Sequence, residues 1–89
     1  MKLLRKVKVK NSLGLHTRPA SVIVRILQES KSSVFFTCRK ETVNAKSIMS
    51  LLTLAACKNS LITIEAEGED AELILGKLEE AFERQFWEI

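Results

Sequence analysis

The chain has few of the residue types that mark specialised protein classes. Its 89 residues include one histidine, one proline, no tyrosine and two cysteines. Cys38 and Cys57 are too few and too far apart for a disulfide framework or a zinc site, so no metal is expected, and each thiol is predicted to be a small buried or half-buried apolar side chain. No apolar run is long enough to span a bilayer and no secretory leader is recognisable. We therefore expect a cytoplasmic protein with no membrane insertion.

Size and charge narrow the functional classes further. We expect residues 1–89 to form a single domain, which can bury roughly two-thirds of its unfolded surface. That leaves no room for a scaffold plus a deep cleft, and it favours a carrier, a binding module or a regulatory protein that needs no cofactor. A net charge of +3 suits an acidic partner surface. Lys6, Lys8 and Lys10 alternate with valines as on the wet face of a strand, and no interleaved aromatics would stack on bases, so nucleic acid is not an expected partner.

The hydrophobic pattern predicts the order strand, helix, strand, strand, helix, strand, helix. Strands are predicted at residues 2–10, 34–38, 41–43 and 61–67, and helices at 18–29, from Ser47 to the turn at 58–60, and at 71–86. Asn59 is predicted to take a left-handed conformation where the second helix ends, and Asp70 to cap the third. The apolar tail of Phe86, Trp87 and Ile89 is expected to pack on the body. This order predicts an α+β open-faced sandwich, in which three helices cover one face of a four-stranded antiparallel sheet.

The single histidine lies in the segment Gly14-Leu15-His16-Thr17-Arg18-Pro19-Ala20. Pro19 is tolerated in the first turn of a helix, so His16 is predicted at a helix N-terminus with Arg18 two residues away. Free N–H groups and the helix dipole favour an anion there, and a guanidinium adds donors that match phosphate oxygens. The pattern therefore indicates a histidine that can hold a phosphoryl group. A capping or simple surface histidine is the alternative on these residues alone.

A second motif makes the assignment more specific. Together with Asn44-Ala45-Lys46-Ser47-Ile48-Met49, the histidine segment resembles the histidine-containing phosphocarrier family, HPr, of the bacterial phosphoenolpyruvate-dependent sugar phosphotransferase system. The resemblance runs from the first strand to the last helix. It implies that enzyme I phosphorylates His16 on Nδ1 and that the group then passes to enzyme II A domains. Arg18 matches the active-site arginine of the family.

The resemblance also implies a regulatory position and a docking surface. Ser47 matches the serine that an ATP-dependent kinase phosphorylates in many Gram-positive relatives, so a serine kinase/phosphorylase is a further expected partner. Thr17, Ala20, Ile48, Met49 and Ser50 are the predicted docking residues, with at least one of Ile48 and Met49 exposed beside His16. Thr17 and Ser50 stand where alanine and glycine are common in the family. For Thr17 the alternatives are a helix cap, a contact with the phosphoryl group or a tolerated substitution, whereas Ser50 borders the expected docking surface and bears on partner choice.

Two functions remain open at this point. The first is a monomeric phosphoryl carrier for sugar uptake, with a nitrogen-linked phosphotransferase branch not excluded. The second is a regulatory interaction protein that is controlled by phosphorylation of Ser47, with sugar transport secondary. A purely regulatory relative could lose the histidine, so the presence of both His16 and Arg18 favours the carrier.

Overall fold

The computed structural model describes residues 2–88 of the chain. In chain order the elements are β1 (Lys2–Lys8), α1 (Thr17–Leu27), β2 (Ser33–Cys38), β3 (Glu41–Asn44), α2 (Ile48–Thr53), β4 (Leu61–Glu67), α3 (Ala71–Glu83) and a short 3-10 helix (Gln85–Trp87). The predicted order of strands and helices is confirmed. Boundaries differ by a few residues, because β1 ends before Val9 and α2 is shorter than predicted.

The four strands form one antiparallel sheet in the order β1-β4-β2-β3. One row of in-register residues across the central strands is apolar: Ile64 pairs with Phe36, and Phe36 pairs with Val43 on the other side. β4 and β2 each alternate between buried and more exposed residues, so one face of the sheet is covered by helices and the other faces solvent. This is the predicted open-faced sandwich.

The hairpin between β2 and β3 forms although its turn contains neither glycine nor asparagine. Arg39 and Lys40 connect Cys38 to its partner Glu41, with φ angles of 53° and 83°. Two positive φ angles are the mark of the tight turn whose twist matches a β-hairpin. Each costs a side-chain-bearing residue about 1–2 kcal/mol, so pairing within the sheet, rather than turn preference, closes this hairpin.

The chain after α3 departs most from the prediction. The helix ends at Glu83 rather than continuing to residue 86, and Gln85, Phe86 and Trp87 have φ angles of 53°, 56° and 58°. This left-handed turn places the Phe86 ring 4.8 Å from that of Phe82, edge to face, and leaves it 3% exposed. Trp87 is 53% exposed, so its predicted packing on the body is wrong. Ile89 lies outside the described residues.

Two predicted helix-end roles are also corrected. Asn59 has the predicted positive φ of 76°, but it lies in the turn before β4, well after the last residue of α2. Asp70 occupies the N-cap position of α3 without a capping hydrogen bond from its side chain. Its carboxylate instead accepts hydrogen bonds from the hydroxyls of Ser30 and Ser32 and from the backbone N–H of Lys31. Asp70 therefore ties the α1–β2 loop to the start of α3.

Candidate functional site

The loop before α1 is fixed against the segment that joins α2 to β4. The backbone N–H of Leu15 donates to the carbonyl of Ala56 at 2.9 Å, and Leu15 itself is 4% exposed. Gly14 has a φ of 68°, and a Cβ added there would lie 2.4 Å from the same Ala56 oxygen. Only glycine fits this close approach, so the glycine two residues before His16 sets the position of the histidine loop.

His16 occupies the N-cap position of α1. Its backbone is extended, with φ −90° and ψ −163°, and its carbonyl accepts a hydrogen bond from the Ala20 N–H at 3.0 Å. The imidazole makes no capping bond, and the first turn of α1 contains no acidic residue. No side chain of this turn therefore accepts a hydrogen bond from the first N–H groups of the helix, and these groups favour an anion next to the ring.

The two ring nitrogens of His16 differ in accessibility. Its side chain is 30% exposed, yet Nε2 is buried, and it lies 2.9 Å from Oε2 of Glu88. That short contact has the spacing of an ion pair, but its angles fall outside those of a good hydrogen bond. Because Nε2 is covered, Nδ1 is the ring nitrogen left for a partner to reach.

Arg18 has a charged side chain without an ion-pair partner in the described residues. The residue is exposed, and no carboxylate within residues 2–88 lies at ion-pair distance from its guanidinium. Arg18 and His16 line a cleft of about 340 Å³ together with Asn11 and Glu88. The structure therefore brings the two predicted site residues into one open cavity, where a guanidinium is free to meet an incoming anion.

A second groove continues from this cleft along α1. It has a volume of about 330 Å³ and is lined by Thr17, Arg18, Ser21 and Arg25, among others. Two arginines and two hydroxyls on one helix face suit an acidic protein surface. A larger groove of about 540 Å³ lies at the other end of α1 between Arg25 and Lys77, and neither His16 nor Arg18 lines it.

Ser47 is the N-cap residue of α2. Its hydroxyl oxygen accepts a hydrogen bond from the Ser50 N–H at 3.2 Å, as an N-cap serine commonly does. The next two residues are accessible: Met49 is 73% exposed and Ile48 is 37% exposed. The sequence predicts that at least one of them is exposed beside His16. The exposure is confirmed for both, whereas a location beside His16 stays a prediction.

The other predicted docking residues divide into accessible and inaccessible positions. Thr17 is exposed and Ser50 is half-buried. Ala20 has no exposed surface and belongs to the hydrophobic core. The prediction that Ala20 contacts a partner does not fit this position. Ala20 lies two residues after the exposed Arg18, so it is on the opposite side of α1 and faces the core.

Two polar residues in the cleft were missed by the sequence analysis. The Asn11 amide donates to the Gly14 carbonyl at 2.8 Å and to Oε1 of Glu88 at 2.9 Å. Asn11 is 3% exposed, although its residue type and turn-like sequence predict only a surface turn. Glu88 follows a left-handed turn that has no sequence signal, so its approach to His16 could not be foreseen.

The two thiols have different surroundings. Cys38 is buried as predicted, but Cys57 is exposed, which contradicts the prediction of a buried or half-buried side chain. A hydrogen bond from the Ser60 hydroxyl lowers the pKa of the Cys57 thiol, and the nearby Arg39 guanidinium lowers it further. Cys57 lies in the irregular segment between α2 and β4, where the apolar periodicity of the sequence no longer reports burial.

Two further kinds of site have no candidate in the described part of the chain. Across residues 2–88 no helix combines the length and apolar character needed to cross a membrane. The same residues contain no cluster of three or more histidine, cysteine, aspartate or glutamate side chains that could hold a metal ion.

Comparisons with known proteins place this geometry in a family. The family model described as the PTS HPr component phosphorylation site matches residues 3–84. Phosphocarrier protein HPr of Chlamydia pneumoniae is 43% identical over 81 residues, which cover 91% of this chain and 75% of that protein. Among solved structures, HPr-C-His from Thermoanaerobacter tengcongensis superposes with a TM-score of 0.93 at 31% identity and 98% coverage of both chains. Crh, a catabolite repression protein of Bacillus subtilis that forms a domain-swapped dimer, superposes with a TM-score of 0.75 at 37% identity, covering 91% of this chain and 93% of its own. The chain belongs to the HPr phosphocarrier family of the phosphotransferase system.

Proposed function

We propose that this protein is a phosphoryl carrier of the cytoplasm that accepts a phosphoryl group on His16 from phospho-enzyme I and passes it to enzyme II A domains for sugar uptake. The observation that supports this most strongly is the placement of His16. It is the N-cap residue of α1, it lines an open cleft, and Arg18 lines the same cleft without an ion-pair partner in residues 2–88. We also propose that residues 1–89 form a single domain that carries this function.

The transfer step needs only a positioned nucleophile. The Nδ1 lone pair of the neutral imidazole forms the new N–P bond while the N–P bond of the donor phosphohistidine breaks, and the donor nitrogen keeps the electron pair of that bond. Nε2 is covered by Glu88, so attack from Nδ1 is the accessible route. The same exposed side of the ring serves both steps, because it faces the donor when the phosphoryl group arrives and the acceptor when the group leaves.

Fixed positive groups around the cleft stabilise the charge that is transferred. The N-terminus of α1 contributes the positive end of its dipole, and Arg18 can donate to two phosphoryl oxygens at once. An anion at a helix N-terminus gains about 0.3–1 kcal/mol at an exposed site. One helix N-terminus and one guanidinium therefore stabilise the phosphoryl group only moderately, which suits a group that has to be released again.

Two accessible features of the surface suit an acidic partner with an apolar centre. Met49 and Ile48 offer accessible apolar area at the start of α2, and Met adapts to partners of different shape. Arg18 and Arg25 line the adjoining groove on α1. We propose that enzyme I and the enzyme II A domains dock here, with Thr17 and Ser50 at the rim of the contact.

A second candidate function is regulation through Ser47. The similarity to Crh, a catabolite repression protein, favours it, as does the half-buried Ser47 hydroxyl next to the exposed Met49. A phosphate on Ser47 would add about two negative charges to the proposed docking surface and oppose an acidic partner. The oligomeric state bears on this choice, because Crh forms a dimer and a monomer remains our prediction from the sequence.

The carrier proposal is tested by single-turnover transfer. The purified protein is incubated with enzyme I and phosphoenolpyruvate, and the label is then chased to an enzyme II A domain. We expect one acid-labile phosphoryl group on the wild-type protein, none on His16→Ala, and loss of the label on addition of the acceptor. An acid-stable label that does not depend on His16 would favour the regulatory function instead.

A further inference from the structure

The carboxylate of Glu88 lies against the nitrogen of His16 that does not take part in transfer. Oε2 of Glu88 is 2.9 Å from Nε2 of His16, and the Glu88 side chain is only 16% exposed. The Nε2 atom is buried and has no aligned hydrogen-bond partner in residues 2–88, so the Glu88 carboxylate is its close electrostatic neighbour. A half-buried carboxylate this close to one imidazole nitrogen favours the proton on that nitrogen.

Glu88 is held in this position from two sides. Its second oxygen, Oε1, accepts a hydrogen bond from the Asn11 amide at 2.9 Å, and the same amide donates to the Gly14 carbonyl at 2.8 Å. Asn11 thus joins Glu88 to the loop that ends at His16. From the other side, Phe86 is buried against Phe82, which anchors the chain two residues before Glu88.

The backbone before Glu88 is in a conformation that needs such anchoring. Gln85, Phe86 and Trp87 all have positive φ, and left-handed backbone is unfavourable for residues with a Cβ. Three in succession persist only when the surroundings over-determine them. The burial of Phe86, the contacts of Glu88 and two backbone hydrogen bonds, from Trp87 N–H to the Arg84 carbonyl and from Glu88 N–H to the Gln85 carbonyl, help to offset this strain.

We propose that Glu88 is a positioning residue for phosphoryl transfer, which rests on the carrier function proposed above. Its carboxylate keeps the imidazole proton of His16 on Nε2, so that the Nδ1 lone pair is free for the phosphoryl group. As the Nδ1–P bond forms, positive charge develops on the ring, and the nearby carboxylate stabilises it. The Nε2 proton stays where it is throughout, and Glu88 forms no bond to phosphorus.

Three variants test this role. Glu88→Ala removes the carboxylate, and Glu88→Gln removes its charge but retains an acceptor oxygen and the side-chain shape. Glu83→Ala is the matched control, because Glu83 is an exposed carboxylate of the same C-terminal region, paired with Lys10 at 2.8 Å. Nitrogen-15 NMR of the imidazole at mildly alkaline pH reports the ratio of the two neutral tautomers. Transfer from phospho-enzyme I gives kcat and KM separately.

We expect the wild type and Glu83→Ala to hold the proton on Nε2. In Glu88→Ala the tautomer ratio should shift toward Nδ1–H by about tenfold, with kcat for transfer lowered by about tenfold and KM unchanged. Glu88→Gln should keep the tautomer but lose part of kcat, because its acceptor remains and its charge does not. If Glu88→Ala does not fold, the kcat of Glu88→Gln decides, and a value equal to that of the wild type overturns the role.

Other results separate this inference from the carrier function. An unchanged tautomer ratio in Glu88→Ala overturns the inference while leaving the carrier function intact. A shifted ratio with an unchanged kcat shows that the contact does not serve transfer, and it also overturns the inference. A wild-type protein that accepts no phosphoryl group overturns the carrier function, and with it the catalytic part of the inference.

Discussion

Replacing Gly14 by alanine tests whether the close approach of the histidine loop to the α2–β4 segment holds the site together. Gly14 has a φ of 68°, which costs a residue with a Cβ about 1–2 kcal/mol. The new Cβ would also lie 2.4 Å from the Ala56 oxygen and 2.8 Å from the Cys57 Cα. The loop must therefore move, and the Leu15-to-Ala56 hydrogen bond, worth about 1 kcal/mol, is weakened with it.

These terms sum to a loss of roughly 2–3 kcal/mol in the free energy of unfolding. For a domain of this size each kcal/mol moves the melting temperature by about 4–8 °C, so Gly14→Ala should melt roughly 10–20 °C lower. Gly76→Ala is the matched control. It lies on an exposed position within α3 with no atom near its added Cβ, and it should gain about 0.5–1 kcal/mol.

The assay is chemical and thermal unfolding followed by circular dichroism, combined with transfer kinetics below the lower melting transition. We expect opposite signs for the two glycine variants and slower transfer only for Gly14→Ala, since only Gly14 positions His16. If Gly14→Ala loses less than about 0.5 kcal/mol, within the usual effect of a surface substitution, the loop does not depend on this contact and the reasoning is refuted.

Three further predictions concern Arg18, Ser47 and Asp70. Arg18→Ala should leave the free energy of unfolding unchanged or raise it by a few tenths of a kcal/mol, because a cation opposes the helix dipole at this position. The same variant should slow phosphoryl transfer about ten- to a hundredfold, and Arg18→Lys should recover part of the rate. Transfer rates of Arg18→Ala within about twofold of wild type would exclude a phosphoryl contact. Ser47→Asp should raise the KM for phospho-enzyme I through repulsion from an acidic partner, and an unchanged KM at low salt would place Ser47 outside the docking surface. The Ser32 hydroxyl, the Lys31 N–H and the Ser30 hydroxyl lower the pKa of Asp70 below its ordinary 3.8. The unfolded chain therefore takes up the proton first as pH falls, so this stabilisation is present at neutral pH and is lost as pH falls through 3.8 and below. Denaturant titrations should show a smaller acid-induced loss of stability in Asp70→Asn, and an acid sensitivity equal to that of the wild type would contradict the assignment.

Elements with a strong hydrophobic period were predictable from the sequence, and those that depend on distant contacts were not. β4 was predicted to the residue, because Ile62, Ile64 and Ala66 alternate with polar positions and form a buried row. The end of α3 was missed, since the helical pattern continues through Phe86. Beyond Glu83 the chain instead turns so that Phe86 packs on Phe82, a contact that no local signal specifies.

The site was predictable in part for the same reason. The positions of His16 and Arg18 follow from local helix-start chemistry and from the family resemblance, and both lie at the cleft. Asn11 and Glu88 are separated by 77 positions in the sequence, and only the left-handed turn after α3 brings them together. Ala20 was assigned to the docking surface from its place in the motif, whereas the helix phase turns it into the core.

The most direct test of the carrier function is the intact mass of the protein after incubation with enzyme I and phosphoenolpyruvate, read before and after acid treatment. We expect the added mass of one phosphoryl group, its loss in acid, and no addition to His16→Ala with an unchanged circular dichroism spectrum. Phosphohistidine is acid-labile and phosphoserine is not, so the acid step identifies the residue type. Full labelling of His16→Ala, or a label that survives acid, would contradict the account.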